Sequence, residues 1–88
     1  MKASAQIVNK LGLHARPSAL LVTTASKYVS EVFIAKDGLR VNGKSIMGIM
    51  MLAAEKGSTL DVEVVGTDEQ EAMAAILKVI KSGFGELD

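Results

Sequence analysis

The sequence has 88 residues, enough for one domain with a single modest core, and 49% of them are hydrophobic. Its ten Lys and Arg residues balance ten Asp and Glu residues without forming a basic run, which argues against nucleic acid as the main partner. The absence of cysteine excludes disulfides, thiolate metal sites and a cysteine nucleophile.

Hydrophobic periodicity divides the chain into strands and helices. In chain order they are a strand at 2–8, a helix at 17–29, strands at 31–36 and 39–42, a short helix at 46–54, a strand at 60–64 and a helix at about 67–82. The short helix should end near Lys56-Gly57, where glycine suits a C-cap, and Gly83 and Gly85 end the last helix. Asp37-Gly38 is a strong hairpin turn, Ser45 stands where a helix N-cap belongs, and Thr67-Asp-Glu-Gln70 has the spacing of a capping box. The order β-α-β-β-α-β-α predicts one α+β domain over 1–88, an α/β open-faced sandwich with three helices on one face of a four-stranded sheet.

The stretch from Asn9 to Ser18 contains the only histidine and the only proline of the chain. Pro17 predicts a helix start, because the first turn of a helix does not need the N–H that proline lacks. His14 and Arg16 then lie at the positive end of the helix dipole, where free backbone N–H groups favour anions. A neutral imidazole is a nucleophile, and a phosphoryl group on His14 would meet those N–H groups and the Arg16 guanidinium. The alternatives are a structural or solvated histidine and an ordinary surface arginine.

The segment from Gly38 to Ser45 matches the P-loop pattern G-x-x-x-x-G-K-[ST], which alone would indicate an ATPase. The hairpin turn at its start and the strand pattern at 39–42 argue against a phosphate-binding loop. In addition, 88 residues do not supply the larger parallel sheet of P-loop proteins. Nucleotide binding that disappears in Lys44→Ala would restore this interpretation.

The second predicted helix is rich in methionine, and its apolar residues are Ile46, Met47, Met50 and Met51. A methionine stripe at helical spacing is usually core. A helix this short does not bury every face, so some of these residues must face solvent or a partner. The nearly apolar run from Ile46 to Ala54 is only about half a membrane span, and no signal segment precedes it. We therefore expect a soluble, cytoplasmic protein with no membrane insertion.

Three motifs together resemble one family. Gly12-Leu-His-Ala-Arg-Pro17, Ala25-Ser-Lys-Tyr28 and Val41-Asn-Gly-Lys-Ser-Ile-Met-Gly48 are similar to the HPr phosphocarriers of the bacterial phosphoenolpyruvate-dependent phosphotransferase system. The resemblance extends over essentially the whole chain. It implies an antiparallel sheet and phosphorylation of His14 on Nδ1.

The resemblance also implies a function and its partners. The expected route runs from phosphoenolpyruvate through enzyme I to His14 and on to IIA domains of sugar permeases, so that the protein is a carrier and not an enzyme. It implies a docking patch around His14 made of Ala19, Leu20, Ile46, Met47 and Met50. Ser45 matches a serine that an HPr kinase/phosphorylase modifies in many bacteria. We expect a monomer with no cofactor or metal; the alternative is a regulatory module that binds partners according to its phosphorylation.

Overall fold

The structure is a computed structural model and describes residues 1–86. Its strands are β1 (Lys2–Gln6), β2 (Glu31–Lys36), β3 (Leu39–Asn42) and β4 (Thr59–Val65), and its helices are α1 (Ala15–Ser26), α2 (Ile46–Met51) and α3 (Glu69–Lys81). A short 3₁₀ turn, Gly83–Gly85, follows α3. The predicted order of elements and the open-faced sandwich are confirmed.

The four strands form one antiparallel sheet in the order β1-β4-β2-β3. Strand β4 occupies a central position, pairing Val62 with Ala3 of β1 and with Ile34 of β2. Leu60, Val62 and Val64 are buried while Asp61 and Val65 are exposed, because successive side chains of a strand point to opposite faces. The sheet therefore has one apolar face, which the helices cover.

Each helix buries one stripe against the sheet. Leu21 and Ala25 of α1 are fully buried, as are Ile76 and Ile80 of α3. The shorter α2 buries only Ile49. Removing a fully buried Leu or Ile side chain from such a core lowers the free energy of unfolding by about 2–5 kcal/mol. Consequently α1 and α3 are firmly anchored, and α2 exposes most of its surface.

The first helix begins earlier than the sequence predicted. Helix α1 starts at Ala15, with His14 as its N-cap, so Pro17 is the third helical residue instead of the first. Proline is accepted throughout the first turn because none of those positions donates an intrahelical bond, and it therefore marks the turn rather than the exact start. The helix also ends at Ser26, before the predicted Val29. Likewise, β1 ends at Gln6 and not at position 8.

The second helix ends at Met51 and not at Ala54. Ala53 has a positive φ of 48°, which ends helical geometry. The carbonyl of Ala54 then accepts a hydrogen bond from the backbone N–H of Leu13, at 2.9 Å. A tertiary contact therefore sets this boundary.

The predicted capping box at Thr67 is wrong. The N-cap of α3 is Asp68, and its side chain makes no capping bond. Its carboxylate instead accepts hydrogen bonds from the backbone N–H groups of Val29 and Ser30 and from the Ser30 hydroxyl. These contacts connect the start of α3 to the segment that enters β2.

The P-loop interpretation is also excluded by the fold. Asp37 and Gly38 both have positive φ in a tight turn, and residues 39–42 form β3. A paired strand does not wrap around phosphate groups. Among residues 1–86, no helix combines the length and the apolar character needed to cross a bilayer.

Candidate functional site

His14 lies at the N-terminus of α1 with an extended backbone, at φ −77° and ψ −171°. Its carbonyl accepts the first helical hydrogen bond, from the Ser18 N–H at 3.0 Å. The N–H groups of Ala15 and Arg16 precede that bond, so helix geometry gives them no intrahelical partner. The imidazole itself does not cap the helix and is 37% exposed. A partly exposed imidazole therefore lies beside the positive end of a helix dipole.

The loop before His14 is held by backbone and side-chain contacts. Asn9 is 1% exposed, and its Nδ2 donates to the Gly12 carbonyl at 2.8 Å. Gly12 has a φ of +67°, and a Cβ there would lie 2.3 Å from the Ala54 carbonyl oxygen. The following Leu13 is buried, and its carbonyl accepts the hydroxyl of Ser18. Only glycine fits the close approach at position 12, and the ring that follows is presented from a fixed backbone.

The ring of His14 has a partner that the sequence analysis missed. Its Nε2 lies 2.9 Å from Oε2 of Glu86, which follows the 3₁₀ turn near the other end of the chain. The second carboxylate oxygen, Oε1, accepts a hydrogen bond from Nδ2 of Asn9 at 2.9 Å. Glu86 is 72 positions from His14, so no helical or strand periodicity connects them. The only local sign was the turn indicated by Gly83 and Gly85.

Arg16, the predicted phosphate partner, is the second residue of α1 and is exposed. Within residues 1–86 its guanidinium forms no ion pair. Within that range the guanidinium is therefore exposed to solvent without a charged partner.

The residues predicted to form a docking patch are all exposed, on α1 and α2. They are Ala19, Leu20 (39% exposed), Ile46 (41%), Met47 (75%) and Met50 (45%). The core interpretation is wrong for this group, because Ile49 alone supplies the buried face of α2. Leu11 and Met51, 70% and 66% exposed, are further apolar surface residues. The exposure of so many apolar side chains is compatible with docking and does not identify a partner.

Ser45 is the N-cap of α2, as predicted. Its hydroxyl oxygen accepts a hydrogen bond from the Gly48 N–H at 3.1 Å. The neighbouring Lys44 donates through Nζ to the carbonyl of Tyr28, at 2.6 Å, just after α1. The N-terminal end of α2, which contains Ser45, therefore lies next to the C-terminus of α1. Ala54, which follows the other end of α2, lies beside the loop that carries His14.

Among residues 1–86, no group of three or more His, Cys, Asp or Glu side chains is placed to hold a metal ion. The site around His14 consists of one imidazole, one carboxylate and one free guanidinium. Such a set suits covalent attachment of an anionic group to the ring.

Comparison with known proteins agrees with this geometry. The model of the PTS HPr component phosphorylation site matches residues 1–82. The phosphocarrier protein HPr of Neisseria meningitidis serogroup A is 55% identical over 86 residues, which cover 98% of this chain and 97% of that protein. The crystal structure of HPr from Thermoanaerobacter tengcongensis superposes with a TM-score of 0.95 at 46% identity, covering 100% of this chain and 99% of the other. A dimeric crystal structure of HPr from the same organism has a TM-score of 0.79 at 50% identity, with 93% and 94% of the chains covered.

Proposed function

Because this chain belongs to the HPr family of phosphocarriers in the phosphotransferase system, we propose that His14 is the residue that carries the phosphoryl group. The group comes from phosphorylated enzyme I, and ultimately from phosphoenolpyruvate, and passes to IIA domains of sugar permeases. The observation that carries the proposal is the partly exposed ring of His14 at the N-terminus of α1, where the first N–H groups have no partner within the helix.

The chemistry assigned to the site is reversible phosphoryl transfer. The lone pair of His14 Nδ1 forms a bond to phosphorus while the bond between phosphorus and the donor atom breaks, and the released electron pair remains on the donor. The Arg16 guanidinium and the helix N-terminus stabilise the phosphoryl oxygens, since both favour anions. A second transfer restores the free ring. The protein is thus a substrate of its partners and does not turn over a small molecule itself.

The proposed partners dock on the exposed apolar patch of α1 and α2. Flexible methionines such as Met47 and Met50 suit a surface that fits several partners in turn. A carrier must also leave each partner, so we expect interfaces of modest area and fast dissociation. We propose that the protein acts in this cycle as a cytoplasmic monomer, without a cofactor or a metal.

Labelling tests the assignment directly. The protein and its His14→Ala variant are incubated with enzyme I and phosphoenolpyruvate labelled in its phosphoryl group. We expect acid-labile label on the wild type and none on His14→Ala, with both chains folded by circular dichroism. Undiminished label on the folded variant would overturn the assignment.

A second labelling experiment tests the proposed modification of Ser45. A purified HPr kinase/phosphorylase with ATP is expected to place acid-stable label on Ser45 and none on Ser45→Ala. Failure of this kinase to label the wild type would remove the proposed regulatory role and leave the carrier function intact.

A further inference from the structure

We propose that Glu86 is a positioning residue that keeps a proton on Nε2 of His14 and so presents Nδ1 to the phosphoryl donor. The inference rests on the proposed function and adds a role for a residue near the other end of the chain. It stands on one contact, the 2.9 Å separation between His14 Nε2 and Glu86 Oε2.

The contact determines which ring nitrogen is the nucleophile. An ionised carboxylate only accepts hydrogen bonds, so Nε2 is the donor and carries the proton. A neutral imidazole has a single N–H, and its other nitrogen holds a lone pair. Nδ1 of His14 is therefore the nitrogen free to bond to phosphorus. A hydrogen bond to one imidazole nitrogen sets tautomer and ring orientation in the same way in other histidine sites.

Glu86 is itself held in place from two directions. Its Oε1 accepts the hydrogen bond from Asn9 Nδ2, and its backbone N–H donates to the Gly83 carbonyl at 3.0 Å. Phe84, between them, is 4% exposed within the core and anchors the turn. The carboxylate is only 18% exposed. It is consequently fixed against the ring before any phosphoryl donor arrives.

Holding the Asn9 side chain in this position has an energetic cost at its other polar atom. Its Oδ1 is buried and has no hydrogen-bond partner within residues 1–86. Buried polar atoms are nearly always paired, and an exception needs an explanation. The explanation is that the Asn9 amide is oriented by the two hydrogen bonds of its Nδ2, which join the loop before His14 to Glu86.

The proton on Nε2 assists transfer in both directions. When Nδ1 forms its bond to phosphorus and the donor bond breaks, the ring keeps that proton and becomes positively charged beside the Glu86 carboxylate. When the N–P bond breaks, its electron pair returns to Nδ1 and the ring leaves as a neutral imidazole. Without the proton, the ring would leave as an anion, which is a poorer leaving group. No proton needs to move in either step.

Three variants test the proposal. Glu86→Ala removes the acceptor, and Glu86→Gln keeps an oxygen that accepts a hydrogen bond but loses the charge. Glu71→Gln makes the same charge change on the exposed surface of the first turn of α3, at the other end of that helix. Single-turnover transfer from phosphorylated enzyme I is measured for each. Urea unfolding establishes that each variant is folded.

We expect Glu86→Ala to slow transfer by about tenfold to a hundredfold, a typical effect of removing the group that orients a histidine. Glu86→Gln should lie between Glu86→Ala and the wild type, and Glu71→Gln should equal the wild type. In ¹⁵N-labelled protein, the hydrogen-bonded Nε2–H of His14 should give a signal that Glu86→Ala loses. That signal reports the ring contact and would not follow a general loss of stability.

The outcomes separate this inference from the proposed function. Wild-type transfer rates in folded Glu86→Ala would overturn the role of Glu86 while His14 remains the carrier. Slower transfer with an unchanged Nε2–H signal would overturn it as well. If Glu86→Ala does not fold, Glu86→Gln decides the question by the same two measurements. If the wild type takes no label on His14, the proposed function itself fails.

Discussion

The backbone polar groups near the two ends of α1 differ in their hydrogen-bond partners. At the C-terminal end, the carbonyl of Tyr28 accepts the Lys44 ammonium and the N–H of Val29 donates to Asp68. At the N-terminal end, helix geometry leaves the N–H groups of Ala15 and Arg16 without partners in the helix. One end is closed by the fold itself. The other end has no such contacts within residues 1–86, and helix N-termini favour anions, which is compatible with the proposed phosphoryl group on His14.

The carboxylates near these two helix ends, Asp68 and Glu86, also differ in the groups that surround them. The hydroxyl of Ser30, followed by the backbone N–H of Val29, lowers the pKa of Asp68 below its ordinary value of 3.8. Three groups donate hydrogen bonds to the Asp68 carboxylate, namely the backbone N–H groups of Val29 and Ser30 and the Ser30 hydroxyl. Glu86, by contrast, binds a ring that we expect to react. The Asp68 carboxylate thus joins two segments of the fold, whereas the Glu86 carboxylate joins Asn9 to the ring for which we propose phosphoryl transfer.

The largest effect on transfer in this comparison is expected from Arg16→Ala. The open end loses its only cation on the first turn, and a charged hydrogen bond to phosphate contributes about 1.5–3 kcal/mol, or roughly tenfold to a hundredfold in rate. The free energy of unfolding should not change, since Arg16 is exposed. Rapid-quench assays measure the rate of phosphoryl transfer from enzyme I and to a IIA domain. The matched control is Arg40→Ala, whose guanidinium lies 3.7 Å from the Phe33 ring on the uncovered face of the sheet. Equal rates in both variants would reject the role of Arg16.

A smaller loss of transfer is expected from Met47→Glu. A charge on the exposed part of α2 should disturb partner docking and slow transfer at low concentration about tenfold, the effect expected if Met47 is one of the few interface residues that contribute more than about 1 kcal/mol. Val29→Glu is the control, because Val29 is 77% exposed, like Met47 at 75%, but lies beyond the closed end of α1. If the two variants lose transfer equally, the docking patch is not on α2. Because Met47 is exposed, circular dichroism should show that Met47→Glu remains folded.

Asp68→Ala should reduce stability and leave transfer unchanged. Because the folded-state pKa of Asp68 is lowered, its ionised form stabilises the folded protein above pH 3.8, and this contribution disappears as pH falls through the folded-state pKa. Urea unfolding at pH 7 should therefore occur at a lower midpoint in Asp68→Ala. The difference between the two proteins should shrink in acid. A constant difference from pH 7 down to pH 2 would contradict the linkage.

The smallest effect is expected from Ser45→Ala. Loss of one N-cap hydrogen bond lowers the free energy of unfolding by about 1 kcal/mol. Ser45→Asp retains an acceptor for the Gly48 N–H and should restore most of that stability, while its charge near Met47 should slow transfer moderately. Denaturant titration and the transfer assay separate the two effects. Full transfer by Ser45→Asp would argue against control of docking by a charge at this position.

The amino-acid sequence by itself determined the features that depend on neighbouring residues. Alternation in β4, the Asp37-Gly38 turn and the Ser45 cap all follow from periodicity or from backbone preferences within a few positions. The same is true of the polar N-terminus of α1, because Pro17 restricts the first turn whatever surrounds it. These features were sufficient to predict the fold and the ring that carries the proposed chemistry.

Only the tertiary structure decided the contacts between distant segments. The N-cap of α3 is Asp68 and not the expected Thr67, and the Asp68 carboxylate is held by donors of the distant Val29 and Ser30. Glu86 reached His14 because the buried Phe84 fixes the turn after α3. Such contacts depend on how packed elements place their ends in space, and no local periodicity records that. The sequence therefore led to the histidine for which we propose phosphoryl transfer, while packing selected the carboxylate that contacts its ring.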